Sequence, residues 1–383
     1  MAEKVKLMAT KMPLISLTGP RQSGKTTLAK LSFPKHKYVN LESPDVFNEV
    51  KSDPRTFLTQ HKHGLIIDEA QKFPELFSYL QTISDENDIP GEFIITGSQN
   101  FLLSEKISQS LAGRVYMANL LPFSISELRK TKLRENNLYQ IIYQGFYPRI
   151  YDKQIDAADF YPSYIQTYTE RDIRQLANIS NLFAFQKFMR LAAGRIGQLL
   201  NYSNIANELG VDLKTVKSWF SILETGYIVF FLQPHHNNFN KRLVKSPKMY
   251  FYDTGLACSL LGINDVEMLD NHWAKGALFE NLVIADMMKN YLNRGQKPYL
   301  FFWRDNTGNE IDLIEEKGNK INIYEIKSSA TINTSFFKGL DYYKSLAGKQ
   351  VNEQSIIYGG SRTFKQGLYT IRSWKSLSEI FSK

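Results

Sequence analysis

Apolar residues fall into two kinds of pattern along this chain. The first is a short continuous run bounded by turn formers, as expected of strands covered on both faces of a parallel sheet. Segments 64–70 and 92–100 predict strands of this sort, an apolar run at 12–17 leads into a helix-forming stretch at 26–31, and 37–41 and 115–120 predict further short strands. The second pattern is helical spacing. Residues 123–200 read as helices, interrupted by a polar stretch at 129–137 and a turn at 145–149. Ile205, Ala206 and Leu209 predict a helix capped by Ser203 and ended by Gly210. Val216, Phe220 and Leu223 predict the next, capped by Asp212 and ended by Gly226. Strands at 227–233 and 248–252 follow, joined by a polar tip. Leu278, Leu282, Ala285, Met288 and Leu292 form a stripe on a helix at 271–292. Strands at 300–304, 310–314 and 322–329 come after it, the first two linked by a turn at 305–308.

Composition narrows the class. With 383 residues, 43% of them hydrophobic, the chain has the makeup of a folded soluble protein of two to three domains. A formal charge of +9 and a pI of about 9.2 favour polyanionic partners, or a basic surface that serves only solubility. The single Cys258 excludes an internal disulfide and fits a reducing compartment. No apolar run reaches membrane-spanning length and no signal-peptide pattern opens the chain. The expectation is a cytoplasmic protein without a membrane partner.

The first strand–helix junction carries the sharpest chemistry. Gly19, Pro20, Arg21, Gln22, Ser23, Gly24, Lys25 and Thr26 fit G-x-x-x-x-G-K-S/T without a mismatch, and Thr27 follows. The glycines let backbone N–H groups approach phosphate oxygens, and the helix start points its positive end at them. Lys25 can reach the β- and γ-phosphates of ATP, and Thr26 can offer its hydroxyl to Mg²⁺. The strand at 64–70 ends in Asp68 and Glu69, as a Walker B strand does. Asp68 would hold Mg²⁺ through water or Thr26, and Glu69 would polarise the attacking water. The strand at 92–100 ends in Thr96, Ser98, Gln99 and Asn100, which either orient a γ-phosphate or water or simply form a turn. Ser98 is taken as a candidate catalytic residue. Arg114 reads as an arginine finger, in cis or from another copy in a homo-oligomer, or as a surface arginine in a salt bridge.

Together these motifs resemble the prokaryotic AAA-superfamily P-loop ATPases that carry a C-terminal winged-helix and nuclease-like region. The resemblance implies an α/β fold with a parallel-sheet αβα P-loop core, expected at residues 1–135, and a helical lid at 136–200. Arg171 and Arg174 are alternative nucleotide-sensing arginines in that lid, or partners in surface salt bridges.

Two short helices followed by a hairpin read as a winged helix-turn-helix, expected at 201–262. Its second helix would face a DNA groove with Lys214, Thr215, Lys217 and Ser218. The hairpin tip, with His235, His236, Asn238, Asn240, Lys241, Arg242, Lys245 and Lys248, suits phosphate contacts. A lid or protein-contact module with a charged face is the alternative. In the remaining segment, 263–383, Glu280, Asp312, Glu325 and Lys327 resemble the PD-(D/E)XK nuclease pattern of helix acid, hairpin acid and E-x-K. Asp312 and Glu325 would hold Mg²⁺ with help from Glu280, and Lys327 would orient the water. The functional expectation is an ATP-hydrolysing protein acting on, or regulated by, nucleic acid, with a Mg²⁺-dependent nuclease domain. Its rivals are a nucleotide-operated switch with an inactive nuclease-like domain and an ATPase that contacts only protein.

Overall fold

The apolar segments of the N-terminal third pair as β1 (Leu14–Thr18), β2 (Lys37–Asn40), β3 (Leu65–Asp68), β4 (Phe93–Gly97) and β5 (Val115–Asn119). All neighbours are parallel, in the order β2-β3-β4-β1-β5. The structure, a computed structural model, describes residues 1–61, 63–97, 111–130, 137–173, 181–235 and 244–381. It divides into two units, one of residues 1–122 with 225–227 and 291–297, the other of 123–224, 228–290 and 298–383.

In the first unit β1, β3 and β4 are buried at every residue. Alternation explains why these runs are continuous rather than periodic. Leu14, Leu65, Ile67, Phe93 and Ile95 fill one core, which also takes Leu76, Phe77, Leu80 and Ile83 from the helix Leu76–Asn87. Ile15, Leu17, Ile66 and Ile94 fill a second core with Ala29 of the helix Lys25–Ser32. The chain leaves β1 and enters β2, with β4 and β3 between them, so a topological switch opens at the carboxyl end of β1, where open parallel sheets bind ligands.

The second unit holds helices Ile125–Arg129, Leu138–Gln144, Pro148–Lys153, Ala157–Thr167 and Leu182–Ala193, with a π-helical turn at Tyr168–Ile173. Helices Tyr202–Leu209 and Leu213–Thr225 come next. The first is capped by Asn201, whose side chain accepts from the Asn204 amide at 3.1 Å. Ser203, the expected cap, already lies inside the first turn. Asp212 caps the second, accepting from the Thr215 amide at 2.8 Å and its hydroxyl at 2.6 Å.

β6 (Val229–Pro234) and β7 (Lys248–Phe251) form an antiparallel hairpin. They are followed by β8 (Leu300–Arg304), β9 (Glu310–Lys317), β10 (Lys320–Lys327), β11 (Val351–Tyr358), β12 (Phe364–Gln366) and β13 (Tyr369–Ser373). One eight-stranded sheet contains them all, ordered β12-β13-β11-β10-β9-β8-β6-β7. β6 joins β8 through Gln233↔Phe301 and Pro234↔Phe302. The hairpin read as a wing and the strands read as a nuclease-like sheet are therefore continuous, and the division expected at 262 separates strands of one sheet. The helix Lys275–Asn293 starts later than the stripe predicts, after a separate helix Val266–Asn271. Leu278, Phe279, Leu282, Val283, Ile284, Ala285 and Met287 are all buried, so it is enclosed on more than one side. Among the described residues no helix is long and apolar enough to cross a membrane.

Candidate functional site

β1 ends at Thr18 and the chain turns at once. Gly19 has φ 149°, and a Cβ there would stand 2.0 Å from the Leu120 carbonyl oxygen, so only glycine lets the loop pass the end of β5 this closely. Gly24, at φ 94°, opens the helix Lys25–Ser32. Lys25 is buried, and its ammonium donates to the carbonyls of Gly19 (3.0 Å) and Pro20 (2.7 Å). Pro20 and Ser23 are also buried, whereas Gln22 and Thr27 are exposed.

Parallel pairing of β1, β4 and β3 brings Thr26 and Thr96 to Asp68 at the strand ends. Three hydroxyls donate to this one carboxylate. Thr26 donates to Oδ2 at 2.8 Å, Tyr38 to the same oxygen at 2.8 Å, and Thr96 to Oδ1. Asp68 is 6% exposed. Glu69 follows at φ 56° and accepts from the Gln71 amide. Burial pushes its carboxyl above the ordinary range, while the charges of Lys25 and Arg21 pull the other way. Beneath the loop, Tyr227 (φ 57°) meets the Thr18 hydroxyl at 3.0 Å and donates to Asn119 Oδ1 at 3.0 Å.

Tyr38 and Tyr227 were not singled out from sequence. Tyr38 sits within an expected strand, and Tyr227 is 209 residues from Thr18, so neither carries a local signal. Arg114 donates through Nε and Nη2 to both carboxylate oxygens of Asp85, the latter at 2.9 Å, and this salt bridge is one of the two roles expected of it. Ser98, Gln99, Asn100 and Arg174 lie outside the described residues, as does the side chain of Arg171.

The second unit brings together Glu280, Asp312, Glu325 and Lys327, and adds partners that sequence spacing missed. Lys327 Nζ lies 2.6 Å from Glu325 Oε1 and 3.3 Å from Asp312 Oδ2. The Ile326 amide donates to Asp312 Oδ2 at 2.8 Å. Lys248, from β7, reaches Glu280 Oε1 at 3.2 Å and also pairs with Glu310, which accepts from Arg304 at 3.1 Å. Tyr250 donates to Glu280. Burial and then the Asp312 charge push the Glu325 carboxyl up to about 8, and burial raises Glu280 as well. Burial by itself would lower Lys248, but the charges of Glu280 and Glu310 outweigh it and hold the ammonium above its ordinary value.

Two residues expected at the phosphate-contacting tip point inward instead. Lys248 is 3% exposed, within the acidic group. His235 is 5% exposed, with Nε2 2.9 Å from Glu316 Oε1 and Nδ1 3.1 Å from the Tyr343 hydroxyl. β7 is buried at every residue, so a lysine at its start is covered, which composition alone does not reveal. His236, Asn238, Asn240, Lys241 and Arg242 lie outside the described residues. Lys214, Lys217 and Ser218 are exposed on the helix Leu213–Thr225.

A family profile described as "AAA domain" matches residues 11–129. Two profiles described as domains of unknown function, DUF8612 and DUF4143, match residues 135–267 and 275–376. An uncharacterized protein of Mycobacterium tuberculosis is 29% identical over 364 residues, covering 95% of this chain and 80% of its own. One from Methanocaldococcus jannaschii is 23% identical over 319 residues, covering 75% of this chain and 68% of its own. Among solved structures, a Walker-type ATPase of Pyrococcus abyssi is 15% identical with a TM-score of 0.43, over 68% of this chain and 94% of that one. AMPPCP-bound DnaA from Aquifex aeolicus is 13% identical with a TM-score of 0.30, over 58% and 84%. The sequence match and the strand-end geometry agree that the N-terminal unit is a P-loop domain of AAA type.

Proposed function

We propose that this chain binds ATP with Mg²⁺ and hydrolyses it, and that its nucleotide state governs contact with nucleic acid. The observation that carries the first part is the 2.8 Å bond between Thr26 and Asp68 beside the Lys25 loop. The residues fit a Mg²⁺-triphosphate on three counts. Gly19 leaves room that a Cβ would fill. Ser23 keeps a buried hydroxyl with no partner among the described residues, a costly state that a phosphate oxygen relieves. Thr26 and Asp68 offer the hard oxygen donors that Mg²⁺ takes while keeping several waters.

When bound, Mg²⁺ neutralises charge on the β- and γ-phosphate oxygens. The loop amides donate to those oxygens, and Lys25 exchanges the carbonyls of Gly19 and Pro20 for them. Tyr38 and Thr96 keep Asp68 oriented. Glu69 orients the attacking water and accepts its proton. The test is a pair of variants assayed by calorimetry and phosphate release. Lys25→Ala weakens ATP binding on the order of 100-fold, the loss of a strong charge-assisted contact. Glu69→Gln keeps binding and slows hydrolysis by about 100-fold or more. Wild-type turnover in Glu69→Gln would remove Glu69 from its role.

The exposed Lys214, Lys217 and Ser218 and the net charge of +9 support a nucleic-acid partner, probed with duplex DNA. Binding that weakens steeply with salt and changes with nucleotide fits this reading, whereas salt-insensitive or absent binding points to a protein-contacting ATPase.

For the C-terminal residues one observation favours a switch without nuclease turnover. The Lys248 ammonium already lies among the acids that a nuclease would turn toward Mg²⁺. As arranged, these acids do not fit a divalent ion. The reading predicts no Mg²⁺-dependent nicking of plasmid DNA beyond that of an Asp312→Ala control.

A further inference from the structure

The C-terminal acids pose a charge problem that the sequence pattern leaves open. Glu280 and Glu310 meet at Lys248, Asp312 and Glu325 meet at Lys327, and the Asp312 charge reaches Glu280 and Lys248, so four carboxylates share one group. Buried carboxylates need compensation, by a metal ion or by cationic side chains. Lys327 belongs to the pattern and pairs with Asp312 and Glu325. Lys248 does not belong to it. It comes from β7, on the far side of β8 and β6 from β9 in the sheet order. Its ammonium lies 5.5 Å from the centre of the Phe302 ring before reaching Glu280 and Glu310. An ammonium facing an aromatic ring and paired with two carboxylates is a built position, and the side chain is only 3% exposed.

We propose that Lys248 is a resident cation that takes the place of a divalent metal in this acidic group, so that the group is a closed ion network joining β7 to the helix Lys275–Asn293 and to β9. The proposal rests on reading Glu280, Asp312, Glu325 and Lys327 as a nuclease-like pattern. The physical argument is competition for the same oxygens. Glu280 Oε1 receives both the Lys248 ammonium and the Tyr250 hydroxyl. Asp312 Oδ2 receives the Ile326 amide and the Lys327 ammonium. A divalent ion would have to displace an ammonium that is 3% exposed and paired with two carboxylates, or stand beside it with like charge. Removing the ammonium while keeping the stem's bulk leaves an excess of carboxylates, a condition that invites a hard cation.

The experiment is a Mn²⁺ titration of the full chain followed by electron paramagnetic resonance, without nucleotide, with Asp68→Asn in every sample to silence the P-loop site. The chain with Lys248 intact takes up no Mn²⁺ that Asp312→Asn removes. Adding Lys248→Met creates one Mn²⁺ site per chain, with affinity raised at least tenfold, and adding Glu280→Gln abolishes it. Lys248→Arg, which keeps the charge, gains none. An intact chain that binds Mn²⁺ through Asp312 overturns the proposal, and it does so even where the methionine variant fails to fold. A folded Lys248→Met that gains no Mn²⁺ overturns it too. A gained site that ignores Asp312→Asn leaves Lys248 as the excluding cation and instead sinks the nuclease-like reading.

Discussion

Asp68 and Asp312 are both buried carboxylates on strands, and the protein treats them in opposite ways. Around Asp68 the donors are hydroxyls, from Thr26, Tyr38 and Thr96. These orient the carboxylate without neutralising it. The nearby ammonium, that of Lys25, is turned to the carbonyls of its own loop. Around Asp312 the donors include the Lys327 ammonium, and the adjoining Glu280 and Glu310 have Lys248. A hydroxyl cage keeps a negative charge available to an incoming cation, whereas an ammonium cage supplies the cation in advance. Acidic residues at strand ends thus do not by themselves mark a metal site. Their donors decide what the charge is for.

The largest effect expected from this contrast is on folding. Glu280→Gln leaves the buried Lys248 short of one counter-charge, and breaking such a pair costs about 3–5 kcal/mol. At roughly 2–4 °C per kcal/mol, the melting midpoint falls by about 6–20 °C with ATP hydrolysis intact. Asp68→Asn does the reverse, removing hydrolysis and moving the midpoint by no more than about 2 °C. Equal melting shifts in the two variants would erase the contrast.

A third carboxylate sharpens it. Asp286 is buried, accepts from the Ile125 amide at 2.6 Å, and is pushed by burial up to about 6, against an ordinary 3.8. With the folded value above the unfolded one, its contribution is fully present below pH 4 and is lost as pH rises through 6. A shift of this size is worth about 3 kcal/mol. Asp286→Asn lacks this loss, so its stability relative to wild type rises between about pH 4 and pH 6 in denaturant titrations. A constant difference across that range would mean that Asp286 keeps the ordinary carboxyl range in the folded chain.

The smallest effect tests the hydroxyl cage. Tyr38→Phe removes one of three donors to Asp68, about 1 kcal/mol, and weakens the Mg²⁺ dependence of ATP hydrolysis about fivefold with little change in melting. No change in the Mg²⁺ titration would show that Thr26 and Thr96 suffice.

The legible parts of this chain were those whose evidence is local. The P-loop reads from eight consecutive residues because strand, turn and helix are contiguous there. Continuous apolar runs gave away the central parallel strands β1, β3 and β4 because both faces of each are covered. The acids of the C-terminal sheet were also found from spacing, since hairpin and E-x-K lie within one stretch of chain. Lys248 was assigned to an exposed tip because a lysine beside a polar loop has the same composition whether it faces water or the core.

Residue order alone therefore determined which segments become the five parallel strands, where the nucleotide loop lies, and that Glu280, Asp312 and Glu325 belong together. Local sterics and hydrophobic periodicity act over a few residues, and they are written in the order of the chain. Tertiary structure alone decided who answers those acids, hydroxyls in one place and ammonium groups in the other. It also placed Tyr227 under the loop, 209 residues from Thr18. Such partners come from other strands, and which of them arrives depends on strand order and on which face a side chain takes, neither of which leaves a short-range mark.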